Sequence, residues 1–393
     1  MYSFEKDFCT DETAGRLTAS MLSFMNETRE YKPKLGFNPE MSSKDFLNWQ
    51  QDVKKKAREL LCLPEITTIE EPKRINVVQR EGYRVERWEF YPGRFTKVPF
   101  LMLVPDSATK NHPAPAVLCY PGSFYSKEFI AGEPLLEPEN CRFERYPERN
   151  KMALEIVKNG MIAFAFDPLE IAERGLLTDQ KLYVGFSRPH YCYGLLQMGL
   201  NYTGISVYEQ LCFLPFIKTL DYLDTGRVAV CAHSLGTQTA LFMALLCDEI
   251  KAIVFNDYVG DDRKRYASLT EFDESKMPHD SGNWHIVPGI WQWFSYADLL
   301  AAIAPKPVAM DEGGADEFIG KVKKSFEINN ADGNCQVSYY PKYRNEDSRS
   351  YHSKLPTHGL SENTFFEYSY VDAPDHSFRA DPCISFLKKH FNI

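Results

Sequence analysis

Apolar positions along this chain change their rhythm twice. Near the N-terminus Phe46, Trp49, Val53, Ala57 and Leu60 or Leu61 recur at helical spacing. Ser42 and Ser43 precede Asp45 as an N-cap signal, and Pro64 ends the pattern. Residues 1–69 are therefore predicted to form an N-terminal helical extension. From about residue 70 the rhythm becomes two. RINVVQREGYRVERWEFYP alternates polar and apolar residues around a Glu81-Gly82 turn, and GRFTKVPFLMLVPD continues it. These segments are expected to be antiparallel strands at the edge of a sheet.

Beyond Pro113 short unbroken apolar runs alternate with helical stretches. The runs are PAVLCY (115–120), MIAFAFD (161–167), RVAVCAH (227–233), KAIVFND (251–257), KPVAMD (306–311) and QVSYYP (336–341). Helices are expected near 148–159, 206–224, 235–248, 317–328 and 381–391. Pro215 should kink or shorten the second of these. Apolar strands without alternation, each followed by a helix, predict an α/β fold with a mostly parallel central sheet covered on both faces. One domain over residues 70–393 follows. Three long interruptions, near 168–205, 258–303 and 342–364, read as cap-like insertions.

Composition narrows the function. The 393 residues carry a formal net charge of −9, which opposes a nucleic-acid partner and docking on anionic lipid. No stretch approaches the ~20 apolar residues of a membrane span. The ten cysteines show no C-x-x-C pair and no zinc-type cluster, so buried free thiols in a reducing compartment are expected. The opening residues lack the basic and apolar regions of a signal peptide, and a cytoplasmic location is the expectation. No metal or organic cofactor is implied.

The sharpest chemical signal is Ala232-His233-Ser234-Leu235-Gly236. It joins an apolar strand to a helix rich in good formers, the setting a G-x-S-x-G nucleophile elbow requires. A serine in a strained strand-to-helix turn needs small neighbours two residues away. Ala232 and Gly236 supply them, with Ala in place of the usual first Gly. The turn lifts the hydroxyl to a helix N-terminus, where developing negative charge is favoured.

Such a serine needs a base, and the base needs an orienting carboxylate, in the chain order serine, acid, histidine. Five histidines follow Ser234 before the last helix: 279, 285, 352, 358 and 376. His376, in VDAPDHSF just before that helix, fits best. His233 is expected to point into the structure. For the acid, Gly313 and Gly314 in DEGGAD allow a turn that returns Asp316 to the sheet edge, making Asp316 the favoured residue. Asp257 is the main rival, with Asp311 and Glu312 behind it. The oxyanion hole requires backbone N–H donors. Leu235 supplies one, and Gly122, Ser123 or Phe124, after the strand PAVLCY, supplies the other.

The order of elements, with AHSLG, FNDY (255–258), APKPVAMDEGGAD (304–316) and APDHSF (373–378), resembles the α/β-hydrolase superfamily. More narrowly, residues 70–393 look like the acetyl xylan esterase-like and dienelactone hydrolase-like branch. Tyr120-Pro121 stands where that group often has His-Gly. The resemblance implies a Ser234–His376–Asp316 triad, an acyl-enzyme and an acylated carbohydrate as substrate. The insertions carry Trp284, Trp291 and Trp293, candidates for stacking on sugar rings, although packing of the insertions onto the body would use the same residues. Two other readings remain open. One is a serine peptidase of the prolyl-oligopeptidase type, although the segment before residue 110 is too short for a β-propeller. The other is a non-catalytic binding module on a hydrolase scaffold.

Overall fold

A computed structural model describes residues 20–65, 70–93, 96–134, 148–176, 187–268, 282–349, 355–357 and 359–393. His279, His352 and His358 lie outside these residues, as does the middle of the first insertion.

The N-terminal arm contains helices α1 (Ser20–Glu30) and α2 (Ser43–Leu61). Ser42 caps α2, its hydroxyl accepting from the Asp45 N–H at 3.2 Å. The face expected from the spacing, Phe46, Trp49, Val53, Ala57 and Leu61, is buried in the same core as the sheet. Of these side chains, Phe46, Val53 and Leu61 each contribute about 1.5–3 kcal/mol by leaving water. The arm is also tied by polar bonds. The Gln50 amide donates to the carbonyls of Ala302 (2.6 Å) and Ala304 (2.7 Å), and the Asn201 amide donates to Leu60 (3.0 Å) at the open end of α2.

Strands β1 (Glu70–Arg80), β2 (Tyr83–Gly93) and β3 (Thr96–Pro105) form the expected antiparallel meander. Gly82 takes φ +79° in the first turn, a conformation that favours glycine. Then follow β4 (Ala114–Tyr120), α3 (Lys127–Ala131), α4 (Met152–Lys158) and β5 (Ile162–Phe166). Next come α5 (Arg188–Gln197), α6 (Tyr202–Ile217), β6 (Leu223–His233), α7 (Gly236–Leu246) and β7 (Ile250–Asn256). The chain continues with α8 (Asp262–Ser268), α9 (Tyr296–Ala301), β8 (Val308–Met310) and α10 (Asp316–Ile328). It closes with β9 (Cys335–Val337), α11 (Glu362–Tyr368) and α12 (Ala380–Phe391).

The sheet runs β1-β2-β3-β5-β4-β6-β7-β8-β9, antiparallel up to the β3–β5 pair and parallel from β5 onward. One face packs on α2, α6, α7, α9 and α10, the other on α3, α4 and α12. Several boundaries differ from the sequence reading. Helix α6 starts earlier, because Asn201 caps it by accepting from the Gly204 N–H at 2.7 Å. It also ends at Ile217 rather than near 224, with Pro215 in its last turn. Strand β8 stops at Met310, so Asp311 and Glu312 already belong to the turn that follows.

Among the described residues, no helix is long and apolar enough to cross a membrane. Cys119, Cys192, Cys212, Cys231, Cys247 and Cys383 are buried free thiols.

Candidate active site

The parallel registers bring four loops to one edge of the sheet. Tyr120 at the end of β4 pairs with Ala232 on β6, His233 with Asn256 on β7, and Phe255 with Met310 on β8. Each strand is followed there by a candidate segment: Gly122–Phe124, Ser234, Asp257 and Glu312.

Ser234 occupies φ +50°, in the left-handed region that a non-glycine residue rarely adopts. The strain is held from both sides. The Ser234 N–H donates to the Asn256 carbonyl at 3.1 Å, and Gly236 packs against the β4 end. A Cβ on Gly236 would lie 2.2 Å from the Tyr120 carbonyl oxygen, so only glycine fits there. Ala232 is fully buried with no need of the usual glycine. Leu235 opens α7, where first-turn N–H groups have no acceptor within the helix. A Cβ on Gly122 would lie 3.4 Å from the Ser234 Cβ, which puts the loop after β4 directly beside the elbow.

His376 follows a short turn, Ala373–Asp375, and keeps 31% of its side chain exposed. Its Nδ1 lies 2.7 Å from the Glu312 Oε2. With Nδ1–H donating to the carboxylate, the Nε2 lone pair is left for proton transfer. Burial works against the charged imidazole, but the Glu312 charge and hydrogen bond outweigh it, with a smaller push from Asp257, and raise His376 to about 9.

The acid beside His376 is therefore Glu312, not Asp316. Glu312 is fully buried and its carboxylate accepts three further bonds: from the Tyr340 hydroxyl at 2.6 Å, the Asn256 amide at 3.2 Å and the Ser377 N–H at 3.3 Å. Four donors compensate a carboxylate that burial would otherwise penalise. The Gly313-Gly314 turn does not return Asp316 to His376. Asp316 is the first residue of α10, where its charge suits the helix N-terminus, and it accepts from the Tyr370 hydroxyl at 3.2 Å. The turn between them is pinned elsewhere. Gly314, at φ +145°, bridges to Val259, whose N–H donates to Gly313 at 2.7 Å. The rival Asp257 accepts from the Tyr258 N–H at 2.8 Å, and burial pushes it up to about 7.

Asn256 was not singled out by the sequence reading. Besides holding the Ser234 N–H and Glu312, its amide donates to the Ser377 carbonyl at 3.2 Å and its Oδ1 accepts from the Arg379 N–H at 2.8 Å. It knits elbow, acid turn and histidine loop together. The available signal was its place at the end of an apolar strand in FND, one residue before the favoured rival acid.

His233 is buried, as expected, with its ring 4.5 Å from that of His376. His233, Glu312 and His376 each place a potential metal-ligand atom within 4.8 Å of the others. The Glu312 oxygens, however, are already engaged by four hydrogen-bond donors.

Of the candidate tryptophans, Trp284 packs on the small apolar cluster that includes Tyr202 and Leu235, the residue after Ser234. Trp291 and Trp293 do not line the site. The segment carrying them is bound by the arm, Lys34 N–H donating to Gln292 at 3.0 Å and Leu35 N–H to Trp293 at 2.7 Å. Trp291 packs on Tyr266, and the Lys56 ammonium sits 4.1 Å from the Trp293 ring centre. Packing, not stacking on a sugar, occupies both.

A strained serine at a strand–helix elbow, a carboxylate-paired histidine after the last strand and a parallel sheet behind them define an α/β hydrolase. The chain belongs to the Abhydrolase family, whose pattern matches residues 4–389. It is a hydrolase with esterase activity. No curated protein matches it. Among solved structures, a Bacteroides fragilis NCTC 9343 protein assigned provisionally as an acetyl xylan esterase is 31% identical, with a TM-score of 0.88 over 97% of each chain. A methylesterase is 15% identical, with a TM-score of 0.58 over 95% of this chain and 67% of its own. A glucuronoyl esterase from Solibacter usitatus is 11% identical, with a TM-score of 0.56 over 92% of this chain and 97% of its own. The last two matches establish the fold alone.

Proposed function

We propose that the chain is a serine carboxylester hydrolase that removes acetyl groups from acylated carbohydrate, with Ser234, His376 and Glu312 as its triad. The observation that carries the triad is the 2.7 Å His376–Glu312 pair on the same sheet edge as the strained Ser234. The substrate class is supported by the 31% identity to the Bacteroides protein.

Ser234 Oγ attacks the ester carbonyl while His376 Nε2 takes its proton. Glu312 keeps the imidazole oriented and stabilises its charged form. The N–H of Leu235 and one from the Gly122–Phe124 loop face the carbonyl oxygen as it becomes negative. The tetrahedral intermediate expels the sugar oxygen, which takes the proton from His376. Water then attacks the acetyl-enzyme with His376 again as base, releasing acetate and free Ser234.

A fluorophosphonate probe should label wild type and not Ser234→Ala. Absence of wild-type labelling would favour a binding module. Acetate release from acetylated xylan or oligosaccharides tests the substrate. Hydrolysis of p-nitrophenyl acetate without such release would reject the sugar-ester reading, and cleavage of fluorogenic peptides would favour a peptidase.

A further inference from the structure

Arg188 opens α5, inside the first insertion, and is completely buried. A guanidinium is seldom placed in a protein interior without a defined task, since desolvating it is costly. One Nη of Arg188 donates to the carbonyl of Ser123, in the loop beside the nucleophile. Three aromatic rings hold the guanidinium in place: Trp284 at 5.0 Å, Phe124 at 5.4 Å and Tyr202 at 5.8 Å from its carbon to the ring centres. These rings come from the second insertion, the loop after β4 and helix α6. Tyr202 is itself fixed by its hydroxyl, which donates to Leu169 at 3.1 Å. Tyr202 and Trp284 belong to the same small apolar cluster as Leu235.

We infer that Arg188 is the positioning residue of the oxyanion hole. The Ser123 carbonyl and the Phe124 N–H share one planar trans peptide, so they point in opposite directions. Fixing the carbonyl on Arg188 fixes the direction of that N–H and the path of the whole Gly122–Phe124 loop. Because two rings of the cage, Tyr202 and Trp284, belong to the same apolar cluster as Leu235, the two halves of the hole are set relative to each other through one side chain. The second insertion thereby acts on the chemistry through Trp284, without touching the reacting atoms. A lysine cannot reproduce this role, since its compact ammonium lacks the planar fork and stacks poorly on rings.

The inference rests on the serine-esterase reading above, and its test separates the two. Arg188→Met and Arg188→Lys are compared with wild type for p-nitrophenyl acetate turnover and for binding of a trifluoromethyl ketone, which mimics the tetrahedral intermediate. Removal of an oxyanion donor commonly lowers kcat about 10²–10³-fold. Arg188→Met is expected to lose about 10²-fold in kcat with KM changed less than about threefold, and to lose ketone affinity in parallel. Arg188→Lys should fall between it and wild type. A folded Arg188→Met with kcat within about threefold of wild type, or a loss confined to KM, would overturn the assignment. If Arg188→Met does not fold, Arg188→Lys decides: full kcat and full ketone affinity reject the role, and a joint loss at unchanged KM supports it. Inactive wild type would instead reject the serine-esterase reading itself.

Discussion

The Nδ1 of His376 sits 2.7 Å from the Oε2 of Glu312, a carboxylate whose oxygens also accept from Tyr340, Asn256 and the Ser377 N–H. In the proposed mechanism, orientation of the base falls to a side chain only two residues beyond β8. Glu312→Gln should lower kcat by about 10⁴-fold, the loss seen when a triad acid becomes its amide with the geometry intact. Asp316→Asn should stay within about threefold of wild type, because Asp316 meets Tyr370 instead. Steady-state kinetics of the two variants side by side measure the contrast.

The same pair sets the pH dependence. Only the neutral imidazole can act as base, and Glu312 raises His376 to about 9 against the opposing effect of burial. The value of kcat/KM should therefore climb through the neutral range and level off only on the alkaline side of about 9. In Glu312→Gln the stabilising charge is gone, so the midpoint should move to lower pH at a reduced plateau. A pH–rate profile with a midpoint near the ordinary histidine value in wild type would contradict the coupling.

Asn256 should matter to both stability and turnover. Asn256→Asp keeps the shape but turns an amide donor into a carboxylate oxygen 3.2 Å from Glu312. Repulsion there, and loss of the bond to the Ser377 carbonyl, should destabilise the fold by about 1–3 kcal/mol. The displaced histidine loop should lower kcat at least about tenfold, since small misplacements of catalytic groups are amplified in rate. Thermal melting and kinetics on one preparation separate the effects.

Gly236→Ala introduces a methyl 2.2 Å from the Tyr120 carbonyl oxygen, a backbone atom that cannot step aside. Overpacking of this kind costs about 1–3 kcal/mol. The variant should melt at lower temperature and lose activity through displacement of the elbow from the loop after β4.

Trp291→Ala probes the packing of the second insertion on α8. Truncating a large aromatic side chain in a packed setting costs up to about 3–5 kcal/mol, and the loss should appear in denaturant melts. Turnover per folded molecule should be unchanged, because the ring meets Tyr266 and not the site.

Local pattern alone sufficed for much of this. Unbroken apolar runs and their helices announced a parallel sheet, and the AHSLG run between strand and helix marked the elbow at Ser234, because a strained turn between small residues leaves a local trace. His376 was legible from its place before α12. The acid was not, since whether Glu312 or Asp316 reaches the imidazole depends on where β8 ends and on the Gly313–Val259 and Gly314–Val259 contacts that fold the turn. Asn256, Arg188 and the diversion of Trp291 to Tyr266 and of Trp293 to the arm likewise depend on partners far away in the chain. Sequence periodicity records which face of an element is buried. It carries no record of which distant side chain comes to meet it, and tertiary packing decided that.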